Sequence, residues 1–205
     1  MIEVRAAAAR FETVQPGIAT WHCFSAGAHY DPDNTHFGAL IAVDEHLLAP
    51  GAGFTRHAHR GVEIVSWVLD GALGHEDSAG RVELVEPGTA LHQSAGSGIE
   101  HAERNASDVE TLRFVQFSWL SEIATPGYRL DVPPVQVGGG EFAMLLPVDG
   151  VELVPAACLH LFVAHGRVDV GGYGLQAGDS ARIRDEAVRV GGDGEVIVWR
   201  AGGAW

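Results

Sequence analysis

The stretch Gly53-Phe54-Thr55-Arg56-His57-Ala58-His59 decides how this chain is read, together with a second one, Gly98-Ile99-Glu100-His101-Ala102-Glu103. Each ends in two metal-binding side chains separated by a single residue. In a β-strand, residues i and i+2 point to the same face, so each doublet aims both of its side chains at one spot. The 41 residues between the doublets, 60 to 100, are enough for a few strands to bring the second alongside the first. The product is three imidazoles and one carboxylate, from His57, His59, His101 and Glu103, around a single point. That mixed N/O shell suits Fe, Mn, Ni, Co or Cu and leaves positions open for water or substrate. Structural zinc more usually takes cysteine ligands, and neither Cys23 nor Cys158 neighbours the doublets. The expectation is one divalent transition metal per chain, held inside an all-β barrel.

The rest of the sequence agrees with an all-β fold. Its 27 glycines fall mostly between short apolar runs, a punctuation that indicates many short strands. Strands are predicted over Gly38–Asp44, Glu63–Leu69, Arg81–Val85, Thr111–Trp119, Leu159–Ala164, Arg167–Val170 and Glu195–Arg200. They are rich in Val, Ile, Phe and Trp, as half-buried pleated surfaces prefer. Turn signals stand at Asp70-Gly71, Pro87-Gly88, Asp149-Gly150 and Asp193-Gly194, and no long segment sustains a helical period.

Composition excludes several classes. All 13 basic residues are arginines, which removes lysine Schiff-base chemistry and the P-loop lysine. A net charge of −14 argues against direct binding to nucleic acid. Ala6 to Ala9 is too short for the apolar part of a signal peptide, and no apolar run reaches membrane-spanning length. The reading is a cytoplasmic protein whose two distant cysteines are buried, reduced thiols.

A faint repeat runs through the chain. Val68-Leu69-Asp70-Gly71-Ala72-Leu73 resembles Val163-Ala164-His165-Gly166-Arg167-Val168, and Glu86-Pro87-Gly88-Thr89-Ala90 resembles Gln176-Ala177-Gly178-Asp179-Ser180. Two copies of one barrel explain this. Counted without gaps, the first doublet maps from Gly71 and Gly166 onto Glu152 and Val154, and the second from Gly88 and Gly178 onto Gly191 and Asp193, so the second copy has no metal cage. The Pro/Gly-rich stretch Asp131–Gly140 makes the connection. The domains expected are 1–131, metal-binding, and 132–205, smaller and metal-free.

Five residues separate Gly51 from His57, and Gly98 to Asn105 has the form G-x2-H-x3-N. Both pieces resemble the two motifs of the cupin superfamily. The fuller string is closer still. It begins Asn34-Thr35-His36-Phe37-Gly38 and runs from Gly53 to Trp67, then through Asp70-Gly71, Gly74-His75-Glu76-Asp77-Ser78, Pro87-Gly88 and Ser94 to Glu103. It is similar to the pirin family, strongly over residues 34 to 120 and thinly over 130 to 205. The resemblance implies a bicupin of two stacked β-barrels. It also implies a single metal, iron first, with Mn, Ni, Co, Cu or Zn as alternatives, on His57, His59, His101 and Glu103. The general cupin pattern has a glutamate ligand where this chain has Ile64. Glu63 is therefore read as a group behind the ligands or a partner for Arg60.

His36, His75 and His92 read as hydrogen-bonded residues, with orientation of a ligand as the sharper role. Phe54, Trp67, Phe114 and Trp119 read as core, with an aromatic-substrate pocket as the sharper alternative. His160 and His165 read as structural, and Arg182, Arg184 and Arg189 as a solvated strand face. Two functions follow from the resemblance. Some pirins open the central ring of quercetin with O2 and release carbon monoxide, with a small aromatic flavonol as substrate. There Glu103 is the candidate catalytic base. Others are metal-containing regulators that bind transcriptional or metabolic protein partners. The dioxygenase reading ranks first because an open mixed-ligand metal is reactive.

Overall fold

Two kinds of strand build the chain. Val62–Asp70 is buried at seven consecutive positions, so it is covered on both faces, and those positions are apolar except for Glu63 and Ser66. Ile99–Asn105 alternates instead, with Ile99, His101, Glu103 and Asn105 buried and Glu100 and Arg104 exposed. It has one dry face and one wet face. The structure is a computed structural model and describes residues 1–137, 140–145 and 150–201. Asp149 of the expected Asp149-Gly150 turn, and Gly138 and Gly139 of the expected connection, lie outside the described residues.

In chain order the first strands are β1 (Ile2–Arg5), β2 (Phe11–Gln15), β3 (Ile18–His22), β4 (Leu40–Leu48), β5 (Gly53–His59) and β6 (Val62–Asp70). They continue as β7 (Leu73–Asp77), β8 (Val82–Val85), β9 (Ala90–Ser94), β10 (Ile99–Asn105), β11 (Leu112–Leu120) and β12 (Gly127–Asp131). The chain separates into two compact units, Phe11–Val132 and Met1–Arg10 with Pro133–Trp205. The first unit has a seven-stranded sheet, order β12-β9-β6-β11-β4-β3-β2, and a four-stranded sheet, order β5-β10-β7-β8. All of its strand pairs are antiparallel. Its core cluster draws Leu73 and Val85 from the small sheet and Leu48, Val68, Leu91, Leu112 and Phe114 from the large one. The core therefore lies between the two sheets.

The second unit repeats this plan. A six-stranded sheet runs β1, Ser180–Ile183, Cys158–His165, Glu195–Ala201, Gly140–Leu145, Val135–Val137. A four-stranded sheet runs Val151–Leu153, Val188–Gly192, Arg167–Val170, Tyr173–Gln176. The repeated glycines sit at the same corner. Gly71 ends β6 in the large sheet before the chain enters β7 in the small one, and Gly166 separates Cys158–His165 from Arg167–Val170 in the same way. Both have positive φ, 81° and 69°. A Cβ would stand 2.6 Å from the Thr111 carbonyl oxygen at the first and 2.8 Å from Gly194 Cα at the second. Only glycine meets both demands without strain.

The first ten residues depart from the expected division at 131. Strand β1 pairs with Ser180–Ile183, Ile2 opposite Ile183 and Arg5 opposite Ser180, and so belongs to the second unit. It occupies the edge that β12 occupies in the first, a place only a long-range pairing could reveal. The ungapped ligand count also lands off the inner face. Glu152 is exposed, and Leu153, Val188 and Val190 are the buried positions of their strands. The inside of this unit is aliphatic.

Strand expectations hold within a few residues, and Arg167–Val170 holds at both ends. The largest difference is Gly38–Asp44, which becomes Leu40–Leu48. Gly38 has a φ of +61° in the turn closed by Phe37 and Leu40, which delays the start. The strand runs on because Glu45 and His46 find partners in Arg113 and Thr20. Both cysteines are buried. Among the described residues no helix is long and apolar enough to cross a membrane.

Candidate metal centre

Strands β5 and β10 are neighbours, and His101 lies directly opposite His57. The register then shifts, so that Glu103 faces Phe54. Strand β7 flanks the other side of β10, with His75 opposite Glu103 and Asp77 opposite His101. The small sheet thus collects His57, His59, His101, Glu103, His75 and Asp77 within three adjacent strands.

Three of the four expected ligands meet. One ring nitrogen from each of His57, His59 and His101 lies within 4.8 Å of the others. His57 Nε2 and His101 Nε2 are 2.9 Å apart. That is a hydrogen-bond distance, and also the spacing of two neighbouring nitrogens each about 2.1 Å from one ion. The opposite ring nitrogens are held from behind. His57 Nδ1 bonds the Thr55 carbonyl oxygen at 2.8 Å, and His101 Nδ1 lies 3.1 Å from His75 Nε2. His59 Nε2 is buried with no hydrogen-bond partner in the protein. A buried polar atom without a partner is costly unless something else satisfies it. Burial drives the pKa of His59 down to about 4 and that of His101 to about 3, with neighbouring histidines adding to the effect. Both rings are neutral at pH 7, the form that ligates. The donor set fits a metal ion.

Glu103 stands apart from that cluster. Its carboxylate reaches across to the large sheet. Gln116 Nε2, on β11, donates to both oxygens at 3.1 and 3.2 Å, and Ser66 Oγ, on β6, donates to Oε1 at 3.3 Å. Gln116 also donates to Ser66 Oγ at 3.0 Å, which ties the two donors together. Burial pushes the Glu103 carboxyl above the usual carboxylate range, against the opposing pull of Gln116, His57 and Ser66.

Other expectations divide. Phe114 and Trp119 have no exposure and Trp67 is 6% exposed, so these three are core. Phe54 is half-buried, with its ring 6.5 Å from that of His57. Glu63 does not meet Arg60; it is fully buried, with His92 Nε2 at 2.6 Å and Ser94 Oγ at 2.7 Å. Arg182 is buried, unlike the expected solvated face, because its strand lies inside the six-stranded sheet. Gln116 and Ser66 escaped the sequence reading, since nothing in their spacing ties them to Glu103. A cavity of about 410 Å³ borders His59, together with Ala58, Ser78, Gly98, Ile99 and Glu100. A larger one, about 820 Å³, is lined by Thr55, Glu76, Ala102 and Arg104 among others. Phe54 and His75, which stand against His57 and His101, line the larger cavity as well.

Comparison with known proteins agrees with this geometry. A Mycobacterium tuberculosis protein provisionally named quercetin 2,3-dioxygenase is 38% identical over 230 residues, covering 97% of this chain and 94% of that protein. A pirin-like protein of Caulobacter vibrioides is 34% identical over 195 residues, covering 82% and 84%. The crystal structure of the bacterial pirin YhhW of Escherichia coli in complex with nickel(II) superposes with a TM-score of 0.90 at 29% identity, covering 100% of both chains. The Pirin family model matches residues 3–120. With that match over more than half its length, this chain belongs to the pirin family of the cupin superfamily.

Proposed function

We propose that this pirin is a metal-dependent dioxygenase that opens the central ring of a flavonol, with its metal on His57, His59, His101 and Glu103. In this reading the facing sheets of each unit are the halves of a cupin barrel, and the second barrel carries no metal. The observation that carries the reading is the convergence of three imidazole nitrogens, one of them buried and unpartnered. Two kinds of relatives support it, those named for quercetin 2,3-dioxygenase activity and a pirin that binds nickel(II).

A bound transition metal supplies open positions where a flavonol and O2 meet and exchange electron density. The chain supplies the rest. His57, His59 and His101 offer neutral nitrogens at one point. Glu103 takes the proton of the flavonol hydroxyl. Gln116 and Ser66 hold its charged form in place. Phe54 and the cavity beside His59 present surface for a planar ring.

The test is an anaerobic absorption spectrum of quercetin mixed with protein loaded in turn with Fe, Mn, Ni, Co and Cu, followed by admission of O2. The expected result is a metal-dependent shift of the flavonol band and then release of carbon monoxide. No shift and no carbon monoxide with any of the metals contradicts the proposal.

A further inference from the structure

A metal-bound histidine usually donates a hydrogen bond from its other ring nitrogen to a carboxylate or a backbone carbonyl. His101 does neither. The carboxylate opposite it, Asp77, is committed elsewhere. Its Oδ1 accepts from the backbone N–H of Ala79 at 2.8 Å and of Arg81 at 3.1 Å, and its Oδ2 accepts from Arg81 Nη1 at 3.1 Å. His75 takes that place instead, with Nε2 3.1 Å from His101 Nδ1.

We propose that His75 is a positioning residue for the metal centre, accepting the Nδ1–H of His101 and so directing His101 Nε2 at the ion. Proton arithmetic sets its state. When Nε2 of His101 ligates, its proton sits on Nδ1, so His75 Nε2 must be bare and His75 must carry its own proton on Nδ1. His75 Nδ1 is buried beside the Gln93 amide, in no closed hydrogen bond, and Gln93 has no exposure. The ring of His75 is fixed by stacking. Tyr128 lies against it at 5.4 Å and 29°, and Arg81 covers the Tyr128 ring at 5.4 Å. Asp77 thus acts on the centre indirectly, through Arg81, Tyr128 and His75.

The inference rests on the metal-site reading but not on the dioxygenase one. Its test is the nickel(II) dissociation constant, measured by chelator competition, for wild type, His75→Gln and His75→Met. Glutamine keeps an acceptor oxygen and methionine offers only a weak one at similar size. The expected result is a dissociation constant raised about 10- to 100-fold in His75→Met and close to wild type in His75→Gln. Wild-type affinity in His75→Met overturns the inference, and so does equal weakening in both variants. Should His75→Met fail to fold, the ring-nitrogen NMR spectrum of the zinc-loaded wild type decides. Nδ1-protonated His75 is expected, and an Nε2-protonated ring overturns the inference. Wild-type protein that takes up no nickel overturns the metal site and this inference together.

Discussion

At the scale of single residues, the four proposed ligands separate into two kinds. His57 contributes nitrogen to the converging cluster, whereas Glu103 is anchored by donors on the opposite sheet. His57→Ala should therefore empty the site. Glu103→Gln should keep much of the metal, because an amide oxygen still coordinates, yet lose flavonol cleavage, because an amide cannot take a proton at neutral pH. Metal analysis beside a turnover assay checks the pair, and wild-type turnover in Glu103→Gln would show that another group is the base. The convergence of the three histidines was legible in the sequence because a strand's two-residue period makes each doublet point one way. The surroundings of Glu103 were not. Ser66 is 37 residues away and Gln116 13, on strands of the other sheet. No local period links residues that meet across a core.

At the scale of strands and turns, glycines of similar φ carry different loads. Gly71 has a φ of +81° and a carbonyl oxygen 2.6 Å from where a Cβ would stand, whereas Gly80 has a φ of +84° and nothing within 4 Å. Gly80→Ala should cost about 1 kcal/mol, the penalty of a left-handed backbone alone. Gly71→Ala should cost about 3 kcal/mol, since the corner between β6 and β7 must also move. Urea denaturation of the two variants checks this, and equal costs would contradict it. The sequence marked this corner, because an Asp-Gly pair after an apolar run is a local signal. It did not mark the partner of β1, because Ile2 and Ile183 are brought together only by the finished sheet.

Over the whole molecule, burial of neutral histidines makes stability depend on pH. His46 is buried between Phe54 and Phe114, with Nδ1 2.9 Å from Thr20 Oγ1. Desolvation lowers its pKa from 6.5 to about 4. The unfolded chain then binds more protons than the folded one between these values. Stability from this site is complete above about pH 6.5 and is lost as pH falls toward 4, by up to about 3 kcal/mol. Denaturation of chelator-treated wild type and His46→Gln from pH 7 to 4.5 should give a shallower acid loss in the variant. Identical slopes would contradict the assignment.

The two units share a plan but not a purpose. Each sets a larger antiparallel sheet beside a four-stranded one, while the inner positions are histidines and a glutamate in one and leucines and valines in the other. That contrast was partly legible, since the repeated glycine corner is local and the missing ligands can be counted, though gaps moved the count off the inner positions. The most direct measurement is therefore the metal content of purified, nickel-loaded protein, wild type beside His101→Ala. One ion per chain in the wild type, with occupancy lost in His101→Ala, is the result expected of a single centre in Phe11–Val132. Two ions per chain, or full occupancy in His101→Ala, would contradict it.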